Sequence, residues 1–396
     1  MMKIALVMTS LNTGGIATSV VNLLNEISKY DSCSVDLILF HKRLNDIEIL
    51  PDNIEVLSPG KWAELIAISN SDAKKMGRRY LFLRYILGGI CKVFGHGLAY
   101  KLILTFSKKY HNYDVAISCT QSAPIRSLYG GCNEFVLHNI DSKKKIAYIH
   151  CDYVAYGIND RYSHNIYKCF DKIAVVSDSV GRVFLSEEPN FKEKTFTVRN
   201  CHNLDKIIEL SKENTVEYSK DELNIITVAR LSKEKGHMRV LGALRLLKDK
   251  NIKFKWHLVG GDIDRCPLEF KKKISEYGLD DYVIFHGIQH NPYRFMVNAD
   301  FLLLPSYHEA APMVFDEARL LQLPVLTTKT VSAVEMVQAL NIGLVCENDD
   351  KDLANAVYYL ATHREVLSQY KENCARHPMD NKVALEQFMN MIGDSL

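Results

Sequence analysis

"FLLLPSYHEAAPMVFDEARLLQLPVLT", residues 301–327, holds a complete strand–loop–helix–strand unit in one line. Phe301–Leu304 is an unbroken apolar run that closes at Pro305, the signature of a strand buried on both faces. A polar loop carries Glu309, and Pro312 suits a first helical turn, where its missing N–H does no harm. The helix-like stretch that follows places Glu317 more than a turn inside, and "PVLT" (324–327) opens the next buried strand. Glu309 therefore falls in a loop at the carboxyl end of a strand, and Glu317 on the helix itself.

The same alternation extends in both directions. Strands are predicted at "NIITVA" (224–229), "FKWHLV" (254–259), "YVIF" (282–285) and "GLVC" (343–346), with helical stripes at Val240, Leu241, Leu244, Leu247 and at Leu353, Ala356, Val357, Leu360. Such alternation predicts βα units around a parallel sheet. The first half repeats the pattern: "KIALVMT" (3–9), a loop "NTGG" (12–15), a helix lined by Val20, Leu23, Leu24 and Ile27, then "SVDLILF" (34–40). Further strands are expected at 114–118, 145–149, 172–176 and 195–198. The polar stretch 199–223 separates the halves and is expected to contain a hinge. The fold class is α/β: two Rossmann-like doubly wound domains facing across a cleft, with ligands at the carboxyl ends of the strands. Expected boundaries are 1–200 for the N-terminal domain, 201–375 for the C-terminal domain, and 376–396 for a helix packing back on the first.

A chain of 396 residues suffices for two such cores. With 49 basic against 47 acidic residues, nothing global favours a nucleic-acid partner. Ten cysteines without a C-x-x-C pair read as reduced, packed thiols of a cytoplasmic protein. No run of about twenty apolar residues is present to span a membrane, and the opening residues read as a strand entering a loop.

Two loops carry chemistry. After 224–229 comes "RLSKEKGH", in which Arg230 and Lys235 precede a helix opening just past Gly236. Two cations beside a helix N-terminus suit a diphosphate; two solvated surface charges are the competing reading. Glu309 and Glu317 are too differently placed to straddle one bond as glycosidase carboxylates do. They suit two separate contacts to one ligand, with a carboxylate on the helix able to accept from vicinal ribose hydroxyls. A surface helix glutamate is the alternative.

R-x4-K-G, then a strand and "GGD", then E-x7-E before "LPVL", resembles the retaining GT-B glycosyltransferases that use nucleotide-sugar donors, the bacterial capsule and cell-surface polysaccharide type above all. "GG" at 14–15, "IAYIHCDY" at 146–153 and "DKIAVVSDSV" at 171–180 fit the N-terminal half of that family. The resemblance implies that Arg230 and Lys235 hold the donor diphosphate. It puts Glu309 at the donor sugar, Glu317 on the ribose and His150 beside the sugar. Gly14 and Gly15 would lie where backbone nears the phosphates, and Ala310, Ala311, Met313 and Val314 would line the donor. Glu309, His150, Arg230 and Lys235 are thereby the catalytic candidates. Family members usually carry glycine after the first glutamate, where this chain has Ala310 and Ala311. The implied reaction is hexosyl transfer with retention, from a UDP-sugar to a lipid-linked or cell-surface glycan acceptor, without metal or other cofactor.

Other signals are weaker. Asp262 and Asp264 spell D-x-D but read as loop-shaping residues, and His286 and His290 straddle a strand end, so no metal site is expected. "NTGG" lacks the G-x-G-x-x-G fingerprint of a dinucleotide oxidoreductase or epimerase. Between Lys74 and Lys109 lie nine basic residues and no acid, interleaved with Tyr80, Phe82, Tyr85 and Ile86. This composition suits an amphipathic element on an anionic membrane surface, which would place the protein on the inner face of the cell membrane; core-packed helices with a basic outer face are the alternative. A non-catalytic subunit that binds or stabilises a partner transferase is the second functional reading.

Overall fold

The predicted strands all become parallel strands in the structure, a computed structural model that describes residues 1–11, 14–42, 49–261 and 267–393. The chain divides into two units, Met1–His202 with Asn381–Leu396, and Asn203–Asp380.

The first unit holds seven strands: β1 (Met2–Met8), β2 (Cys33–Leu39), β3 (Glu55–Leu57), β4 (Tyr110–Ser118), β5 (Ile140–Ile149), β6 (Lys172–Val175) and β7 (Thr195–Thr197). They pair in the order β3-β2-β1-β4-β5-β6-β7, all parallel. Its helices are α1 (Gly15–Ile27), α2 (Lys61–Glu64), α3 (Asn70–Met76), α4 (Arg78–Phe94), α5 (His96–Thr105), α6 (Cys132–Asn139), α7 (Arg161–Lys168) and α8 (Asp178–Glu187). Asp160 and Ser177 cap α7 and α8 by accepting from the N–H of Ser163 and Val180, at 2.9 and 3.1 Å. Strand β3 was not anticipated, because three residues flanked by polar ones carry no period.

The second unit runs α9 (Leu204–Lys212), β8 (Leu223–Val228), α10 (His237–Asp249), β9 (Phe254–Val259), α11 (Leu268–Glu276), β10 (Val283–Gly287), α12 (Tyr293–Met296), β11 (Phe301–Leu304), α13 (Met313–Leu320), β12 (Val325–Thr328), β13 (Gly343–Cys346), α14 (Asp350–Thr362) and α15 (Arg364–Arg376). Its sheet order is β10-β9-β8-β11-β12-β13, again parallel. Side chains alternate between two cores: Phe301 and Leu303 join the cluster of Trp256, Leu244 and Val357, while Leu302 and Leu304 join Phe315, Met296 and Val337. Burial on both faces is why "FLLL" shows no polar alternation. The fold is α/β with two parallel, doubly wound, Rossmann-like sheets, as expected. The last helix, α16 (Lys382–Ile392), belongs to the first unit.

The basic segment resolves into α3, α4 and α5. Arg84 turns inward, donating to the Leu65 carbonyl and, at 2.8 Å, to Asn70 Oδ1. Lys74, Lys75, Arg78, Arg79, Lys92, Lys101, Lys108 and Lys109 are exposed. So is an apolar stripe on α4: Phe82, Tyr85, Ile86 and Val93 are between 45% and 73% exposed. Among the described residues, no helix is long and apolar enough to cross a membrane.

Candidate active site

In the second unit the strand order reverses between β8 and β11, so the loops leaving their carboxyl ends are neighbours. A reversal of this kind opens the crevice in which doubly wound sheets take ligands. The loop after β8 carries Arg230 and Lys235; the loop after β11 carries Glu309.

Gly236 locks the two loops together. Its φ is +69°, and a Cβ there would stand 2.0 Å from the Pro305 carbonyl oxygen. Only glycine accepts that conformation and that approach without cost. The Tyr307 N–H donates to the Glu234 carbonyl at 2.9 Å, a second tie. Arg239, its side chain only 2% exposed, adds a third from α10. It donates to Asp350 Oδ1 (2.7 Å), Asn348 Oδ1 (2.6 Å) and the Pro305 carbonyl (3.3 Å), and its guanidinium lies over the Tyr307 ring at 4.4 Å.

These ties bring Lys235 Nζ to 2.5 Å from Glu309 Oε1, with both side chains mostly shielded. Ser306 Oγ donates to the same oxygen at 2.7 Å. Both donors converge on Oε1, and no hydrogen bond to Oε2 is found among the described residues. The Arg230 side chain is 73% exposed and pairs with Glu234 at 3.5 Å. Pro312 stands at the N-cap of α13, one place before the first turn in which it was expected, with ψ at 121° outside the helical range. Met313 and Val314 then open the helix, each 9% exposed, beside buried Ala310. Neither Ala310 nor Ala311 has a positive φ, so alanine fits where glycine is usual. The positive end of α13 thus emerges beside Glu309 and Lys235.

Glu317 has different company. Lying in α13, it accepts from Tyr293 Oη at 3.3 Å. Burial first, and then Glu317 itself, push the Tyr293 hydroxyl well above its ordinary pKa, so it remains a donor. The two glutamates therefore have separate partners.

Gly14, Gly15 and His150 belong to the first unit. Gly14 is the extended residue before α1, with no atom within 4 Å of the place a Cβ would take, and Gly15 begins the helix. His150 follows β5, stacked on Tyr148 at 5.1 Å, and burial pushes its pKa down to about 4, which keeps the ring neutral. Its Nε2 has no hydrogen-bond partner among the described residues. Asp262 and Asp264 lie outside the described residues, as do Asn12 and Thr13. His286 Nε2 sits 3.1 Å from His257 Nδ1, and among the described residues no three His, Cys, Asp or Glu side chains gather to hold a metal.

Ser306, Tyr293 and Arg239 were not singled out from sequence. Ser306 offered one signal, its place three residues before Glu309. Arg239 reads as an exposed helix cation until the fold buries it.

Both units thus define a tandem Rossmann-like α/β protein of the GT-B type. Residues 209–377 match the family described as Glycosyl transferases group 1. Over 141 residues the chain is 34% identical to the putative colanic acid biosynthesis glycosyltransferase WcaL of Escherichia coli K12, a third of each chain. With the uncharacterized glycosyltransferase MJ1059 of Methanocaldococcus jannaschii it shares 27% over 167 residues, covering 41% of this chain and 40% of that protein. The matched segments thus span well under half of these relatives. Among solved structures, Anabaena Alr3699/HepE in complex with UDP and glucose superposes with a TM-score of 0.68 at 17% identity over all of both chains. WaaG, a glycosyltransferase involved in lipopolysaccharide biosynthesis, does so at 0.64 and 16%, over 98% and 100%.

Proposed function

We propose that the protein is a retaining glycosyltransferase that moves a sugar from a nucleotide-sugar, a UDP-sugar foremost, to a lipid-linked or cell-surface glycan precursor. The observation that carries this reading is the Lys235–Glu309 pair at the reversal point of the second sheet, beside the N-terminus of α13. The UDP complexes of a structural neighbour support the donor class, and the polysaccharide-building names of the relatives support the acceptor class.

In this reading the donor diphosphate meets Arg230, Lys235 and the end of α13. The anomeric carbon–oxygen bond breaks, the nucleoside diphosphate leaves with the electron pair, and fixed cations stabilise the charge that develops. The acceptor hydroxyl attacks from the face the leaving group vacates, passing its proton to the departing phosphate oxygen, and retention follows. Glu309 Oε2 accepts from a sugar hydroxyl and Glu317 from the ribose. These side chains supply the positive charge, so transfer proceeds without a metal ion. The acceptor falls to the first unit, which docks on the inner face of the cell membrane through the exposed cations and apolar stripe of α3–α5.

The test is binding followed by turnover. Among UDP, GDP, ADP, TDP, CMP and NAD, UDP should raise Tm selectively; at 100 times Kd a ligand adds about 2.7 kcal/mol. Glu317→Ala should weaken UDP binding, whereas Glu309→Ala should bind UDP normally and lose transfer by roughly 10²-fold or more. Equal UDP affinity in wild type and Glu317→Ala would sink that division of roles. Nucleotide binding without turnover on any acceptor would favour the non-catalytic subunit.

A further inference from the structure

A cavity of about 490 Å³ lies in the first unit among α5, α6 and α7. It sits toward the amino ends of β4 and β5, since Lys109 immediately precedes β4, and His138 and Asn139 lead into β5. The strands' carboxyl ends, where His150 lies, are at the other edge of the sheet. Nothing in the glycosyl-transfer reading uses this cavity.

Its lining is chemically divided. Lys101 and Lys109, both exposed, stand at the mouth with His138. Glu134, 6% exposed, lies deeper and accepts from Tyr162 Oη at 2.9 Å. Among the described residues no cation is bonded to Glu134, so a ligand donor reaching it would find a carboxylate with accepting capacity to spare. The mouth adjoins apolar surface. Leu98, Lys101, Leu102 and Thr105 are spaced three and four apart and form one face of α5, with Leu98 and Leu102 each 44% exposed. Val93 and Phe94, 73% and 72% exposed, close the preceding helix.

We propose that this cavity takes the headgroup of a membrane phospholipid, its phosphodiester at Lys101 and Lys109 and a headgroup hydroxyl or amine directed to Glu134. The proposal rests on the peripheral-membrane reading above and assigns it a site. A soluble sugar phosphate offers similar polar chemistry. The adjoining Leu98–Leu102 face favours the lipid, because acyl chains leaving the cavity mouth would meet apolar side chains rather than water. The site holds its ligand without any covalent step.

The full-length chain is titrated with soluble sn-glycero-3-phosphoglycerol and, separately, mixed with vesicles of phosphatidylcholine alone or with added phosphatidylglycerol. Lys101→Ala/Lys109→Ala is compared with Lys74→Ala/Lys75→Ala, which removes the same charge from α3, away from the cavity. All four positions are exposed, so both variants should fold. Diffuse attraction to an anionic surface, about 1 kcal/mol per lysine, weakens both alike. The expected result is saturable binding of the soluble headgroup by wild type and by the α3 variant, and its loss in the cavity variant. On phosphatidylglycerol vesicles the cavity variant should bind about tenfold more weakly than the α3 variant. Equal vesicle binding by the two variants, with no saturable headgroup binding, overturns the site and leaves the membrane reading standing. Headgroup binding through Lys101 and Lys109 by a wild type that binds no vesicle overturns the lipid assignment and the membrane reading together.

Discussion

Among the described residues Glu309 takes its two side-chain donors, Lys235 and Ser306, on one carboxylate oxygen, and the proposed contact to a donor sugar uses the other. Its position in a loop after a buried strand could be read from "FLLLPSYHE". Its partner could not: Lys235 lies 74 residues away, and only the ordering of β8 beside β11 makes them neighbours. Buried histidines carry a second residue-scale consequence. Burial pushes His237 down to about 4, helped by the nearby Lys235 charge, and burial does the same to His257, helped by His286 and Lys255. The unfolded chain takes up these protons near pH 6.5 while the folded chain resists until about 4. Stability present above pH 6.5 is therefore lost as pH falls toward 4, by on the order of 3 kcal/mol for a shift of this size. Glu134, pushed up to about 6 chiefly by burial, works the other way in the first unit, gaining stability as pH falls through that value. Chemical denaturation between pH 7 and 4 should show the second unit weakening, and His237→Asn should flatten that slope. An unchanged slope would contradict a buried, neutral His237.

At the scale of elements, the turn from β8 into α10 is the piece on which the site depends. Gly236 has left-handed backbone and a carbonyl where its side chain would be. The left-handed conformation alone costs alanine about 1–2 kcal/mol, and the Pro305 oxygen must move as well. Gly236→Ala should lower the Tm of the second unit and separate Lys235 from Glu309, so UDP stabilisation should fall further than in a variant of equal Tm loss elsewhere. Measuring both on one sample tests the claim. The glycine before the helix was visible in "KEKGH", yet its reason was not, since the blocking oxygen comes from another strand. Pro312 shows the same limit: its locked φ suits both N-cap and first turn, and the backbone path of the loop chose the N-cap.

At the scale of the whole chain, the polypeptide leaves the first unit at His202 and returns at Asn381. The Asn381 side chain accepts from the His202 N–H (2.9 Å) and donates to its carbonyl (2.7 Å), joining the exit to the return. Helix α16 then buries Leu385, Phe388, Met389, Met391 and Ile392, while Lys144 and Lys172 donate to the carbonyls of Ile392 and Met391, both at 2.7 Å. Five such side chains at about 1.5–3 kcal/mol each match the roughly 5–15 kcal/mol that holds a typical domain folded. A chain ending at Asp380 should therefore expose its first unit to limited proteolysis while the second unit survives as a fragment. Survival of both would show that α16 is dispensable.

What the sequence determined by itself was local and periodic: runs of apolar residues long enough for strands, helical stripes between them, and so the alternation that defines a parallel α/β protein. Those signals lie within about ten residues, because they reflect the pitch of one element and the face it must bury. Tertiary structure alone decided which strands became neighbours. That order set Lys235 against Glu309 and Tyr293 against Glu317, and it left the α4 stripe and the cavity beside α5 at the surface. Contacts between residues far apart in the chain follow from packing whole elements against one another, and no spacing within a single stretch records them.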